Sequence, residues 1–510
     1  MDSEEKEEEA LQSAVSCPKV STPRPIPHLP LEIATAVVNH LECCELDYNF
    51  NRSVWPIHTQ DCIRNVQKAR LISRDFLHGS ALLFGKLLSN TVFTLTPKCL
   101  DFLDQLSQNA ELSSYIRTLT FGSTYIPQLK PYRQRALEMK WGGNADLDAA
   151  NQEIFRAWHF LYEIQTMNFK TGRTEETLTR IFRQFKSLQN FRFRPHVEMI
   201  RGVPYPRKLT WPTKEIRLTL TEETAELGHA VLERFRIAVY NDLHRVFSII
   251  QKALSKSNLH PKSLLSTPQC TSHRQKGLLA FYIPPTIPLS HIFNHLKQFY
   301  WAVPPAPKRL MNSTRHFTTM LSSILNNAPH LKTLHIICTD YPIHDNPKCR
   351  YLPSSLKQTP HLTLLDLEGI DIDRDSLLAL AGKSLRKLRL SHISNVTCAE
   401  WSSLLQEIKD NNPLKWLKLH CGRRGICVAH GSMECRCGDI PENVLKAMSR
   451  AGTVVMCEGS GSWRGNEMVY QNGEAVGPHI LQDACYVDRW ARFGLPFTVS
   501  EDGSHLAGTI

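Results

Sequence analysis

One short pattern recurs along this chain and limits what it can fold into: an apolar residue, two others, an apolar residue, one other, an apolar residue. It reads "LKTLHI" (Leu331, Leu334, Ile336), "LTLLDL" (Leu362, Leu365, Leu367), "LRKLRL" (Leu385, Leu388, Leu390) and "LKWLKL" (Leu414, Leu417, Leu419), with starts 31, 23 and 29 residues apart. "IRTLTF" (Ile116, Leu119, Phe121) and "LQNFRF" (Leu188, Phe191, Phe193) carry it earlier, and "LKQFYW" (Leu296, Phe299, Trp301) carries it more loosely. The last two apolar positions, two residues apart, suit the inward face of a short strand, and the first ends the turn before it. Helical patterns lie between: "DRDSLLALAGKS" (Asp373 to Ser384), with aspartates suited to capping, and "TCAEWSSLLQEIKDNN" (Thr397 to Asn412), with Trp401, Leu404, Leu405 and Ile408 at helical spacing. Alternating strand and helix predict parallel strands laid side by side.

A short strand repeated at roughly 20–29 residues is similar to leucine-rich repeats. The spacing here is irregular, and the asparagine ladder of regular repeats is missing. The resemblance implies a curved α/β solenoid over residues 91–420. Within it, "PQLKPYRQRALEMKWGGNADLDAA" (Pro127 to Ala150) reads as a surface loop running into a helix, and residues 225–254 read as amphipathic helix.

The flanks differ in composition. Residues 1–25 are glutamate-rich, then proline-punctuated, with nothing to bury, and are expected to be disordered. Residues 421–510 are richer in Gly and Cys; Asn472-Gly473 between apolar runs predicts a hairpin in a small β-rich segment.

Residues 26–90 read as helical. With Leu31 to Leu41 on a helix at about 100° per residue, Leu31, Ile33, Ala34, Val37, Val38 and Leu41 cover about 160° of arc, where a stripe of about 100° seats a surface helix. Pro30 falls where a first-turn proline is tolerated. A second helix is expected over Ile63 to Phe76, with Ile63, Val66, Ala69 and Ile72 on one side, and a third near Gly79 to Leu88. Three short helices bury little surface, so such a unit needs a neighbour, and the extra apolar arc can meet one.

"LPLEIATAVVNHL" followed by "VQKARLISRDFLHGSALLF" resembles the F-box, the module that docks on the Skp adaptor of cullin-based ubiquitin ligases. The matching positions are Leu29, Pro30, Glu32, Ile33, Val37 and Leu41, then Val66, Arg70 to Arg74 and Phe76. "LSQNAELSSYIRTLTF" (Leu106 to Phe121) resembles the passage into divergent leucine-rich repeats seen in fungal F-box proteins. The resemblance implies an adaptor-binding role for Leu29, Pro30, Ile33 and Val37, with Leu71 and Ile72 contributing, while Leu41, Val66 and Phe76 form local core. It also implies a non-catalytic substrate receptor, tied through the adaptor to a cullin. Its protein substrate would lie on the concave strand face near Thr333, His335, Asp366, Arg386, Arg389, Lys415 and Lys418. One departure stands out: residues 43–61 intervene where the family joins its first two helices closely, a loop insertion tolerable if both helix faces persist.

The expected fold class is therefore α/β: a three-helix F-box at 26–90, an irregular leucine-rich-repeat-like solenoid at 91–420 and a small β-rich segment at 421–510. Other function classes leave weaker marks. The net charge is +11, and residues 1–9 carry −5, which leaves +16 on the remainder; that balance suits acidic partners. Arg and Phe alternate within Arg180 to Lys208, as in an RNA-binding surface with aromatic platforms. They alternate equally as a half-buried strand with Phe191 and Phe193 inward and Arg192 and Arg194 outward, which makes nucleic acid the weaker expectation. A leucine-rich-repeat scaffold capped by its N-terminal helices is the other alternative. Fifteen cysteines with no secretory start suit a reducing cytoplasmic or nuclear setting. Cys421, Cys427, His430, Cys435 and Cys437 offer zinc-type ligands, but only one pair has knuckle-like spacing, so no metal or other cofactor is expected. No G-x-S-x-G, P-loop or H-E-x-x-H occurs, so no catalytic residues are expected, and no apolar run suits a membrane span.

Overall fold

The computed structural model describes residues 29–42, 60–89, 91–122, 145–194, 243–266, 289–303, 321–338, 360–391, 398–420 and 452–458. It also describes short strands at 44–45, 57–58, 351–352, 467–471 and 474–476, and residues 393, 446 and 448–450. The acidic tail at 1–25, the expected surface loop from 127 to 144 and residues 225–242 lie outside the described residues. The chain divides into two compact units, Met1–Cys43 with Thr59–Leu83, and Cys44–His58 with Phe84–Ile510.

The first unit holds α1 (Leu31–Asn39), α2 (Gln60–Ala69), α3 (Arg74–Gly79) and the start of α4 (Ala81–Ser89). Four helices thus replace the expected three. The expected second helix breaks after Ala69, where Leu71 N–H bonds Lys68 C=O and Ile72 N–H bonds Ala69 C=O, each 3.0 Å. These tight i→i−3 bonds end the helix. Ser73 then caps α3 by accepting from Phe76 N–H at 3.3 Å. Pro30 is the N-cap of α1 and not its first-turn residue; its carbonyl accepts from Ile33 and Ala34 N–H.

Within the insertion at 43–61, β1 (Cys44–Glu45) and β2 (Ile57–His58) pair antiparallel, with Cys44 opposite His58.

The second unit is α/β. Its main sheet has twelve strands among the described residues: β3 (Val92–Phe93), β4 (Thr118–Gly122), β5 (Asn190–Arg194), β6 (Ser263–Ser266), β7 (Gln298–Val303), β8 (Thr333–Cys338), β10 (Leu364–Glu368), β12 (Lys387–Ser391), β13 (Trp416–His420), β14 (Val454–Glu458), β15 (Glu467–Gln471) and β16 (Glu474–Val476). Each strand lies beside the one before it, all parallel from β3 to β14. β15 and β16 close the sheet antiparallel, with Gln471 opposite Glu474; Asn472-Gly473 between them lie outside the described residues. Two further short strands, β9 (Tyr351–Leu352) and β11 (Asp371–Ile372), pair with each other in parallel.

All 21 apolar positions of the recurring pattern are buried, from Ile116 to Leu419. They line one sheet face and share a single core with the helices: α5 (Pro97–Gln108), α6 (Ala110–Tyr115), α7 (Ala145–Lys170), α8 (Arg173–Gln184), α9 (Leu243–Ser257), α10 (Leu289–Phe293), α11 (Arg374–Leu380) and α12 (Cys398–Asn411). Asp373 caps α11 by accepting from Ser376 N–H at 2.8 Å, and Trp401, Leu404, Leu405 and Ile408 face the core from α12. Phe191 and Phe193 are buried and meet Phe182 and Phe247 edge to face at 5.4 and 5.2 Å. Such packing adds about 0.5–1.5 kcal/mol per pair beyond area. Arg192, expected outward in solvent, does point to the other sheet face but is only 8% exposed.

Candidate partner-docking site

Within the first unit α1 and α3 lie side by side and run the same way. Leu29 N–H donates to Asp75 Oδ2 at 3.0 Å, joining their starts. Four residues on, a Cβ at Gly79 would lie 2.9 Å from Thr35 N and 3.0 Å from Ala34 Cβ, so only glycine permits this approach. Arg70 ties the turn after α2 to the end of α3, donating to Leu77 C=O at 3.3 Å and Ser80 Oγ at 3.1 Å.

This packing buries one stripe of α1, Ala34 and Val38. The neighbouring stripe, about 100° round the helix, stays open: Ile33 is 52% exposed and Val37 44%. Leu31 on the first turn is exposed as well, and Leu41 is half-buried. Leu71 and Ile72, thrown outward by the tight turn before α3, are 87% and 56% exposed. Five of the ten exposed large apolar side chains among the described residues therefore fall within residues 31–72. Single exposed apolar residues are ordinary; here these five lie in one small unit.

The Leu29–Asp75 bond gathers four of the six expected docking residues at one end of the α1–α3 pair: Leu29, half-buried, Pro30, exposed, and Leu71 and Ile72. Ile33 and Val37 carry the apolar edge along α1, about 10 Å from Pro30 to Val37 at 1.5 Å per residue. Of the residues assigned to local core, Val66 is buried and Phe76 half-buried. Buried Cys62 and Ala69 complete that face of α2; Cys62 lies one residue before the expected helix.

The strand face opposite the core differs from the expected open surface. His335, Asp366, Arg389 and Lys418 stand in cross-strand register on β8, β10, β12 and β13, and all four are at most 9% exposed. Asp366 Oδ2 lies 3.1 Å from His335 Nδ1 and 3.2 Å from Arg389 Nη1. An ionised carboxylate only accepts, so Nδ1 carries the hydrogen of that bond. Arg389 Nη2 is 3.7 Å from Glu368 Oε2. Buried charges need such partners. Thr333 is half-buried on the same face, whereas Arg386 and Lys415 precede their strands and are exposed.

Among the described residues no group of His, Cys, Asp or Glu is arranged to hold a metal. Cys421, Cys427, His430, Cys435 and Cys437 lie outside them, as do residues 195–208 of the basic stretch. The described rings of that stretch, Phe191 and Phe193, are core and offer no stacking platform. Among the described residues no helix is long and apolar enough to cross a membrane.

No protein-family model matches the chain, and no curated protein matches it.

Proposed function

We propose that the chain is the substrate-binding subunit of a Skp–cullin–F-box type ubiquitin ligase. In this reading the first unit is an F-box, and the second an irregular leucine-rich-repeat-like solenoid that holds a protein substrate. The observation that carries the reading is the open apolar edge of Ile33 and Val37 beside the exposed Leu71–Ile72 turn. It coincides with the positions where the sequence resembles the F-box. An adaptor helix laid on that edge would bury surface that now faces water, at about 25 cal/mol per Å². The chain then contributes no bond-making chemistry. It raises the effective concentration of substrate lysines near the loaded conjugating enzyme, which is where proximity alone accelerates transfer.

Co-purification with a Skp adaptor tests this. Wild-type chain should retain the adaptor, and replacing Pro30 and Ile33 with glutamate should abolish retention while leaving the second unit folded. Wild-type chain that never retains the adaptor ends the ligase reading.

A further inference from the structure

Just before eight of the ten parallel strands, from β4 to β13, one residue sits in a continuous backbone ladder. Gln189 N–H bonds Arg117 C=O, Lys262 bonds Gln189, Lys297 bonds Lys262, Lys332 bonds Lys297, Thr363 bonds Lys332, Arg386 bonds Thr363 and Lys415 bonds Arg386, all at 2.8–3.0 Å. The ladder fixes the side chains of successive strands in file, roughly 4.8 Å apart. Six of the eight members are cationic: Arg117, Lys262, Lys297, Lys332, Arg386 and Lys415. All six are exposed.

Elsewhere on this unit some surface cations are paired, Arg180 with Asp104 and Lys256 with Glu175. Among the described residues none of the six row cations has an ion-pair partner. No aspartate or glutamate occurs in the row, in the two residues before any member or in the one after. Like charges placed opposite on neighbouring strands repel. This arrangement therefore leaves a repulsion that an anion lying along the row relieves.

We infer that this row is a docking track for an extended acidic polypeptide segment. Seven strand intervals span roughly 34 Å, the length of about ten extended residues. Surfaces for single-stranded nucleic acid combine cations with aromatic platforms, and the row contains no aromatic residue. Beside it stand two pairs of rings, His260 with His295 at 4.7 Å and His330 with His361 stacked at 6.3 Å, so each of these rings faces a partner ring. The inference stands on the second unit alone and is independent of whether the N-terminal helices hold an adaptor.

Fluorescence anisotropy on the full chain tests it, with labelled decaglutamate, decaglutamine and a ten-nucleotide uridine RNA as probes at low salt. Decaglutamate should bind and decaglutamine should not. The double variant Lys297→Glu/Lys332→Glu should weaken decaglutamate at least ten-fold. The neutral pair Lys297→Gln/Lys332→Gln, which spares the fold any new charge, should weaken it at least three-fold. An off-row variant with the same charge change, Lys170→Glu/Lys252→Glu, should change it less than two-fold. Equal loss in on-row and off-row variants makes the effect one of net charge and overturns the inference. So does absence of decaglutamate binding, or RNA that binds more tightly and is the probe the row variants release.

Discussion

Replacing Asp366 with alanine probes the buried charge chain on the sheet. Its Oδ2 is shared by His335 Nδ1 at 3.1 Å and Arg389 Nη1 at 3.2 Å. Truncation leaves Arg389 with Glu368 at 3.7 Å and removes the acceptor of the His335 ring. Breaking a buried pair by deleting one partner costs about 3–5 kcal/mol. Because Arg389 keeps an acid nearby, the lower end applies, about 3 kcal/mol. Urea unfolding followed by intrinsic fluorescence reads this: with a slope of about 3 kcal/mol per molar, the midpoint falls by about 1 M. The triple substitution Asp366→Leu, Glu368→Leu and Arg389→Met, which removes both acids that Arg389 pairs with, should recover most of the loss, since apolar residues of similar volume replace buried ion pairs at little cost. An alanine effect under about 1 kcal/mol, the range of solvated pairs, contradicts the low-dielectric setting the reasoning requires. So does a triple variant no better than the single.

Two further substitutions probe the α1–α3 contact and the half-buried Lys387. Gly79→Ala places a Cβ 2.9 Å from Thr35 N, an overpacking of about 1–3 kcal/mol that helix propensity offsets by no more than about 1; thermal melting of the isolated chain should show the first unit loosened and the second unchanged. Lys387 is half-buried, and burial pushes its ammonium below the usual lysine range. Between that lowered value and the ordinary one the unfolded chain holds the extra proton, so stability should rise with pH there. Lys387→Met should equal or exceed wild-type stability at neutral pH and lose that slope, as pH-resolved denaturation will show.

Much of the second unit was legible because its signal is local. Three apolar positions per strand, repeated, named all seven triplets that the fold buries. β6 escaped because "PKSLLS" puts Pro261 and Ser266 where leucines are expected, although the backbone follows the same path. The helix break after Ala69 was hidden because Ile63, Val66, Ala69 and Ile72 keep helical spacing straight through it. Only the Ser73 cap and the exposed Ile72 reveal the turn. The strand face misled for a different reason. Charged residues alternating with leucine read as solvated, and nothing local distinguishes Asp366, which is buried, from Lys415, which is not. That difference is tertiary. The apolar arc of α1 was visible as an excess, but which part of it is buried depends on α3 and Gly79. The basic row is invisible along the chain, since its members are 23 to 73 residues apart and meet only through parallel pairing.

The proposed function requires the open edge of α1 and the Leu71–Ile72 turn to hold a Skp adaptor. Isothermal titration of the full chain with purified adaptor measures it most directly, using Ile33→Glu as the edge variant and Leu82→Glu as a control at an exposed leucine outside the six docking positions. The expected result is saturable one-to-one binding, a loss of at least a hundred-fold with Ile33→Glu, and less than a three-fold change with Leu82→Glu. No heat of binding with wild-type chain, or equal affinity for Ile33→Glu and wild type, contradicts it.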